Sequence, residues 1–192
     1  MALMGDGQAT RRRILDAATA EFATHGIAGA RVDRIAADAK ANKAQLYAYY
    51  GNKDALFDVV LAEHVVANID QVPLTADDLP GYAVRLYDSN VEHPELVRLA
   101  TWARLERTPA GDLFADWAGH DKDKLAAIEA AQRSGHVVAD LDPLDVHSML
   151  IALASTWAAS SLTHAAGPDD TDEVHERRRQ ALATTVRRAL TP

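Results

Sequence analysis

The sequence predicts an all-α chain, with three short helices in about the first fifty residues and a body of longer helices after them. Three observations carry this. Apolar residues recur at intervals of three and four, the spacing of one face of an α-helix. Gly, Pro, Asn and Asp fall between those stripes, where helices start and stop. No run alternates apolar and polar residues between hairpin turns, so no strand is expected. No fixed-period repeat and no low-complexity tract interrupts the pattern.

Taken in order, Ile14, Ala18 and Phe22, with Leu15 beside them, mark the first helix. Gly26 stops it, as glycine does just past a helix end. Val32, Ile35, Ala36 and Ala39 make a short second helix. Asn42 caps a third, which runs through Gln45, Leu46, Tyr47 and Tyr50. Gly51 ends that helix and Asn52 caps a fourth, which carries Leu56, Val59 and Val60 towards Asn68. Pro73 and Pro80 bracket an Asp-rich linker. Tyr82, Ala83, Leu86, Tyr87 and Asn90 resume helical spacing until His93-Pro94 breaks the chain, Pro94 being suited to a first helical position. Leu96, Leu99, Ala100 and Ala103 follow, and Pro109 and Gly111 punctuate. A longer stripe of Phe114, Trp117, Leu125, Ile128 and Ala131 closes near Gly135. Asp142-Pro143 opens a helix free of formal charge from Val146, and Gly167-Pro168 closes it. The last helix runs from about Asp170 to Leu190.

Composition excludes several classes of function. With no Cys, the chain has no disulfide scaffold, thiolate zinc site, iron–sulfur cluster or Cys nucleophile, and it suits a reducing cytoplasm. The N-terminal apolar stretch is too short for a signal-peptide core, and its positive charge follows rather than precedes it. The uncharged stretch from Val146 to Gly167 contains several Ser, Thr and His and lacks a basic flank, so it reads as a buried helix rather than a membrane span. No Walker loop and no His-Glu-x-x-His motif occurs. Asp142, Asp145 and His147 are close in sequence, but Asp142 reads as a helix cap, and Asp145 and His147 point to different helix faces. No metal and no cofactor is expected.

The net charge of −8 is unevenly spread. Residues 1–53 hold 8 Lys and Arg against 5 Asp and Glu, whereas 54–192 hold 12 against 23. A basic end on an acidic body suits a directed anion-binding face, although chance segregation gives the same counts. Three short helices with the tight turn Lys40-Ala41-Asn42 between the second and third have the grammar of a helix-turn-helix. The third helix then presents Lys43, Ala44, Gln45, Ala48 and Tyr49 outwards, while Leu46 and Tyr50 face in. Small and polar residues let a helix enter a major groove, where Gln and Lys bond base edges and Tyr and Lys reach phosphates. Arg11, Arg12 and Arg13 read as the first turn of the first helix, where cations oppose the helix dipole. Phosphate contact explains that choice, and so does a solubilising run.

Here the sequence resembles a known family. Arg31-Val32-Asp33-Arg34-Ile35-Ala36, then Asn42 through Tyr50, Gly51-Asn52-Lys53-Asp54-Ala55-Leu56-Phe57, is similar to the tetracycline-repressor (TetR) family. The likeness covers residues 11 to about 60. It implies a dimeric, cytoplasmic regulator of transcription that represses and releases DNA when a small molecule binds its C-terminal body. It implies a helix-turn-helix DNA-binding domain over 1–53 and a helical effector-binding and dimerisation domain over 54–192. Tyr47 and Lys53 fall on phosphate-contacting positions, Asn42, Lys43, Gln45 and Tyr49 on the recognition helix and its cap, and Arg31 at the start of the second helix. Three departures stand out. Lys40 replaces the usual Gly of the turn, Ala30-Arg31 leaves the second helix without a side-chain cap, and Tyr50 replaces a common Phe and needs a hydroxyl partner.

The remaining expectations follow from this reading. The uncharged helix over 146–163 and the last helix over 170–190 pack against their copies in a homodimer, which reads a roughly palindromic DNA operator. An effector that is largely apolar or aromatic binds among Tyr82, Leu86, Leu99, Trp102, Trp117 and His120, the last in a Gly-His-Asp break of an apolar stripe. The three Trp also suit a plain core. Two other classes stay open at this point: a helical adaptor that docks a protein partner, and a small all-α enzyme.

Overall fold

The computed structural model describes residues 2–108, 110–113 and 120–192, and every regular element among them is α-helical. Chain contacts divide it into two compact units, Met1–Ala67 with Arg98–Leu113, and Asn68–Val97 with Phe114–Pro192.

In the first unit α1 (Ala2–Gly29), α2 (Val32–Asp38), α3 (Lys43–Tyr50) and α4 (Lys53–Gln71) are joined by the part of α6 (Pro94–Glu106) that follows Arg98. Ile14, Ala18 and Phe22 of α1, Ile35 of α2, Leu46 of α3, and Leu56 and Phe57 of α4 are all fully buried. Phe22 meets Phe57 edge to face at 5.2 Å between ring centroids, the favoured geometry of an aromatic pair. The apolar positions read as stripes are therefore one core.

One expectation about α1 fails. The helix begins at Ala2, so Arg11, Arg12 and Arg13 sit mid-helix rather than in its first turn, and the dipole argument does not apply to them. Gly26 does interrupt the helix. Its φ of 72° is left-handed, a region a side chain disfavours, and a Cβ there would stand 2.9 Å from the Trp102 ring.

The three departures in the second and third helices each have a visible outcome. Arg31 caps α2 with no side-chain bond of its own, and the carboxylate of Glu21 on α1 accepts the Arg31 amide instead, at 2.8 Å. Lys40 adopts φ 50° in the turn, as a position suited to Gly requires. Tyr50 donates its hydroxyl to the Arg11 carbonyl at 3.2 Å. Asn42 and Gln45 form a reciprocal capping box at the start of α3, and Gly51, at φ 79°, ends it. Asn52 then accepts the Ala55 amide at the head of α4.

The second unit holds α5 (Leu79–Glu92), α7 (His120–Arg133), α8 (Pro143–Ala154) and α9 (Asp172–Leu190). Helix α5 packs on α8 and α9, and α7 on α8. Tyr82, Leu86 and Tyr87 of α5, Ile128 of α7, Leu150 of α8, and Leu182 and Val186 of α9 make the core. Pro80 belongs to the first turn of α5 rather than to a linker, because Asp78 already caps that helix through the Gly81 amide.

The long uncharged helix is not there. α8 ends at Ala154, and turns carry the chain from there to Thr171. Hydroxyls supply the competing bonds: Thr156 Oγ1 donates to the Leu153 carbonyl, and Ser161 Oγ accepts the amides of Thr163 and His164. Asp170 closes the segment by accepting the Gly167 amide and the Arg178 guanidinium, each within 2.9 Å. Arg178 is only 4% exposed. Burial opposes its charge, but hydrogen bonds to Asp170 and Tyr87 outweigh that and hold it above the ordinary arginine value. Phe114 and Trp117 lie outside the described residues. No helix among the described residues is long and apolar enough to cross a membrane.

Candidate nucleic-acid interface

Helix α3 buries Leu46 and leaves Lys43, Ala44, Gln45 and Ala48 exposed, as the spacing predicts, but it is Tyr47 rather than Tyr49 that is exposed beside them, and Tyr50 is only half-buried. Tyr47 is 44% exposed, a large aromatic with no core to fill. The capping box uses the oxygens of Asn42 and Gln45, so each keeps its side-chain NH2 group as a donor. Lys43 lies 2.7 Å from Asp33 on α2, and that hydrogen bond, with the attraction between the charges, raises its pKa. Both partners are exposed, so a phosphate can compete for the ammonium.

Lys53 behaves differently from a free phosphate ligand. Its ammonium donates to the carbonyls of Ala28 and Ala30, at 3.2 and 3.1 Å. Those oxygens sit at the end of α1, where unpaired carbonyls favour a cation. Tyr49 is half-buried and carries the Arg11 guanidinium over its ring, 4.7 Å from the centroid. Arg31 is exposed at the head of α2. The structure thus gathers all seven sequence-predicted residues in the first unit, five of them on or next to α3.

What the sequence reading missed is the carboxylate beneath them. Glu21 is buried, accepts the Arg31 amide, and takes two nitrogens of Arg34, the shorter at 2.6 Å. Burial pushes its pKa up, but the Arg34 and Arg31 hydrogen bonds and the Arg34 charge pull it further down, so it stays ionised. A signal existed: Glu21 continues the i, i+4, i+7 face of Ile14 and Ala18, an acid on an apolar stripe. Arg13 also works inside the unit, reaching the Ala39 carbonyl and the Thr10 hydroxyl.

The end of α6 grips the same unit. Trp102 donates its indole N–H to the Ala23 carbonyl at 3.3 Å, and Glu106 accepts the Ala28 amide at 2.7 Å. Arg107 pairs with Asp54 and Asp58 and lies over the Phe57 ring. An open cleft of about 600 Å³ lies here, lined by Ile27, Ala28, Lys53, Asp54, Asp58, Glu106 and Arg107. Its charged groups are paired with protein, so it reads as a joint rather than a ligand pocket.

The effector candidates fall in both units. Tyr82 and Leu86 lie in the core of the second unit, while Leu99 and Trp102 belong to the first. His120 opens α7, but its side chain, like Trp117, lies outside the described residues. Among the described residues no cluster of His, Asp and Glu is arranged to hold a metal ion.

Comparison with known proteins agrees with this geometry. Residues 14–60 match the family model of bacterial regulatory proteins, tetR family, and residues 78–188 match the tetracyclin repressor-like C-terminal domain. The chain is 44% identical over 154 residues to the HTH-type transcriptional repressor SCO4008 of Streptomyces coelicolor, covering 80% of each chain. It is 29% identical over 160 residues to the regulator RutR of Escherichia coli, covering 78% of this chain and 74% of RutR. The crystal structure of SCO4942 from Streptomyces coelicolor superposes with a TM-score of 0.77 at 41% identity, covering 94% of this chain and 98% of that one. AibR, solved with isovaleryl coenzyme A and operator DNA, shares the fold, with a TM-score of 0.70 over 92% of this chain and 97% of that one at 16% identity. With a capped, exposed third helix on a buried three-helix core, and both halves matched, the chain belongs to the TetR family and is a sequence-specific DNA-binding regulator of transcription.

Proposed function

We propose that this regulator is a repressor, bound to a roughly palindromic operator as a homodimer and released by a largely apolar or aromatic small molecule. On α3, Lys43 and the Gln45 NH2 group read base edges, with Tyr47 on a phosphate. Lys53, Arg31 and Asn42 support the helix ends and contribute positive potential or donors beside them. The relative SCO4008 is itself a repressor, which supports the sign of the regulation.

One observation carries the ligand reading. Tyr82 is 2% exposed and lies in the apolar core of the second unit. A hydroxyl set among apolar side chains is the kind of polar group that orients a bound small molecule. Burial raises the Tyr82 pKa, with Arg85 opposing, so the group is a neutral donor. Leu86, one turn on, supplies apolar wall on the same face. The reading rests on these two residues.

The dimer reading rests on α8. It leaves Leu144, Met149 and Ile151 exposed, with Ala152 beside them, and Leu162 in the following turns is fully exposed. Such apolar area on one helix suits burial against a second copy, together with α9. The two recognition helices then stand about 34 Å apart or somewhat more. Release requires the ligand to bind the DNA-free arrangement better.

Fluorescence anisotropy with the duplex upstream of the chain's own gene tests the function. Tight binding at moderate salt, lost on adding an apolar or aromatic compound but unaffected by it on random DNA, is the expected result. Equal affinity for that duplex and for random DNA contradicts autoregulation through it.

A further inference from the structure

The three consecutive arginines of α1 differ in what they touch. Arg12 pairs with Asp16 and Glu63. Arg13 bonds the Ala39 carbonyl and the Thr10 hydroxyl. Arg11 is exposed and forms no ion pair among the described residues. Its guanidinium carbon lies over the ring of Tyr49 on the recognition helix, 4.7 Å from the centroid.

The surroundings hold that arrangement. Tyr50 stands edge-on to Tyr49 at 6.3 Å and 80°, and its hydroxyl is bonded to the carbonyl of Arg11 itself. The backbone at Arg11 is therefore tied to α3 next to the stacked pair. Gly7, one turn earlier on α1, lies beside the Tyr49 hydroxyl, which a Cβ there would meet at an ordinary contact distance of 3.7 Å. A guanidinium held over a ring by cation–π attraction keeps N–H donors for a phosphate.

We propose that Arg11 contacts the DNA backbone, with Tyr49 as the ring that holds its guanidinium beside the recognition helix. The proposal rests on the DNA-binding function above. It gives Tyr49 the role of a positioning residue, and it selects one arginine of three.

The test is the salt dependence of binding to a random-sequence duplex, measured by anisotropy with the full chain. Each phosphate neutralised contributes a slope of about 0.9 in log affinity against log salt. Arg11→Ala, and Arg11→Gln, which keeps length and removes charge, are expected to flatten the slope by about one unit. In a Tyr49→Ala background the same Arg11 substitutions are expected to flatten it much less, because the guanidinium is no longer held. Arg12→Ala, which removes an arginine already paired with carboxylates, is expected to leave a steeper slope than Arg11→Ala. A wild-type slope in both Arg11 variants overturns the phosphate contact. An equal slope loss with and without the Tyr49 ring overturns the positioning role. Because the duplex is random, this result is independent of operator preference, whose absence in the wild-type chain would instead count against sequence-specific reading.

Discussion

Glu21 offers a direct test of how the DNA-reading unit is held. Arg31 heads α2 without a side-chain cap, and Glu21 supplies the missing acceptor from α1, ten residues earlier in the chain. Replacing it by Ala removes that acceptor. Loss of a helix cap costs about 1 kcal/mol, within a range of about 0.5–2. The freed Arg31 amide is near solvent, so water limits the loss to this scale rather than to that of a buried unpaired donor. Loss of the Arg34 pairing acts in the same direction. For a chain of this size about 1 kcal/mol lowers Tm by roughly 2–4 °C. Glu21→Gln keeps an oxygen for the Arg31 amide and loses the charge, so it should fall between Ala and wild type.

The pH dependence follows from the same contacts. The folded Glu21 has a pKa below the ordinary value of 4.5. Its contribution is therefore complete above that value and disappears as pH falls through the lower folded one. Thermal melts of wild type and Glu21→Ala at neutral pH and at pH values below 4.5, with hydrogen exchange at the α2 amides, read both effects. Equal Tm at neutral pH, or a difference that does not shrink on acidification, would falsify the assignment of Glu21 as the cap.

The other predictions concern reading, strain, assembly and response. Gln45→Ala should lose roughly 1–3 kcal/mol on the operator with little change on random DNA, whereas Lys53→Ala should weaken both alike in a titration against each duplex. Lys40→Gly should raise stability in urea by up to about 1 kcal/mol, because Gly accepts φ 50° without side-chain strain; a loss would show that the Lys stem packs productively. Ile151→Glu on the exposed face of α8 should shift the sedimentation of the chain from dimer to monomer at micromolar concentration, and a persistent dimer would move the interface elsewhere. Tyr82→Phe should weaken the effector several-fold while operator affinity stays within about twofold, the loss of one hydrogen bond being worth about 1 kcal/mol. An unchanged dose response would place the ligand away from Tyr82.

Local patterns account for what the sequence showed clearly. The capping box of Asn42 and Gln45, the stops at Gly26, Gly51 and Gly135, and the buried stripes all depend on neighbours within one helical turn or on one residue's own φ. Those signals are written in consecutive residues. The α8 boundary was missed for a related reason. Absence of charge read as continued helix, but Thr156 and Ser161 offered the backbone local hydroxyl bonds that periodicity does not weigh.

The sequence by itself determined an all-α chain, a capped recognition helix with Lys43 and Gln45 outwards, and the family those residues signal. Only the tertiary structure decided how the long polar side chains are used. Glu21 on α1 caps α2, Lys53 on α4 closes the end of α1, Trp102 and Glu106 on α6 hold the Gly26 break, and of three adjacent arginines one alone stacks on the recognition helix. Arg, Lys and Glu carry flexible stems that reach several partners at similar local energy. Which partner they meet is set by helices that only folding brings together.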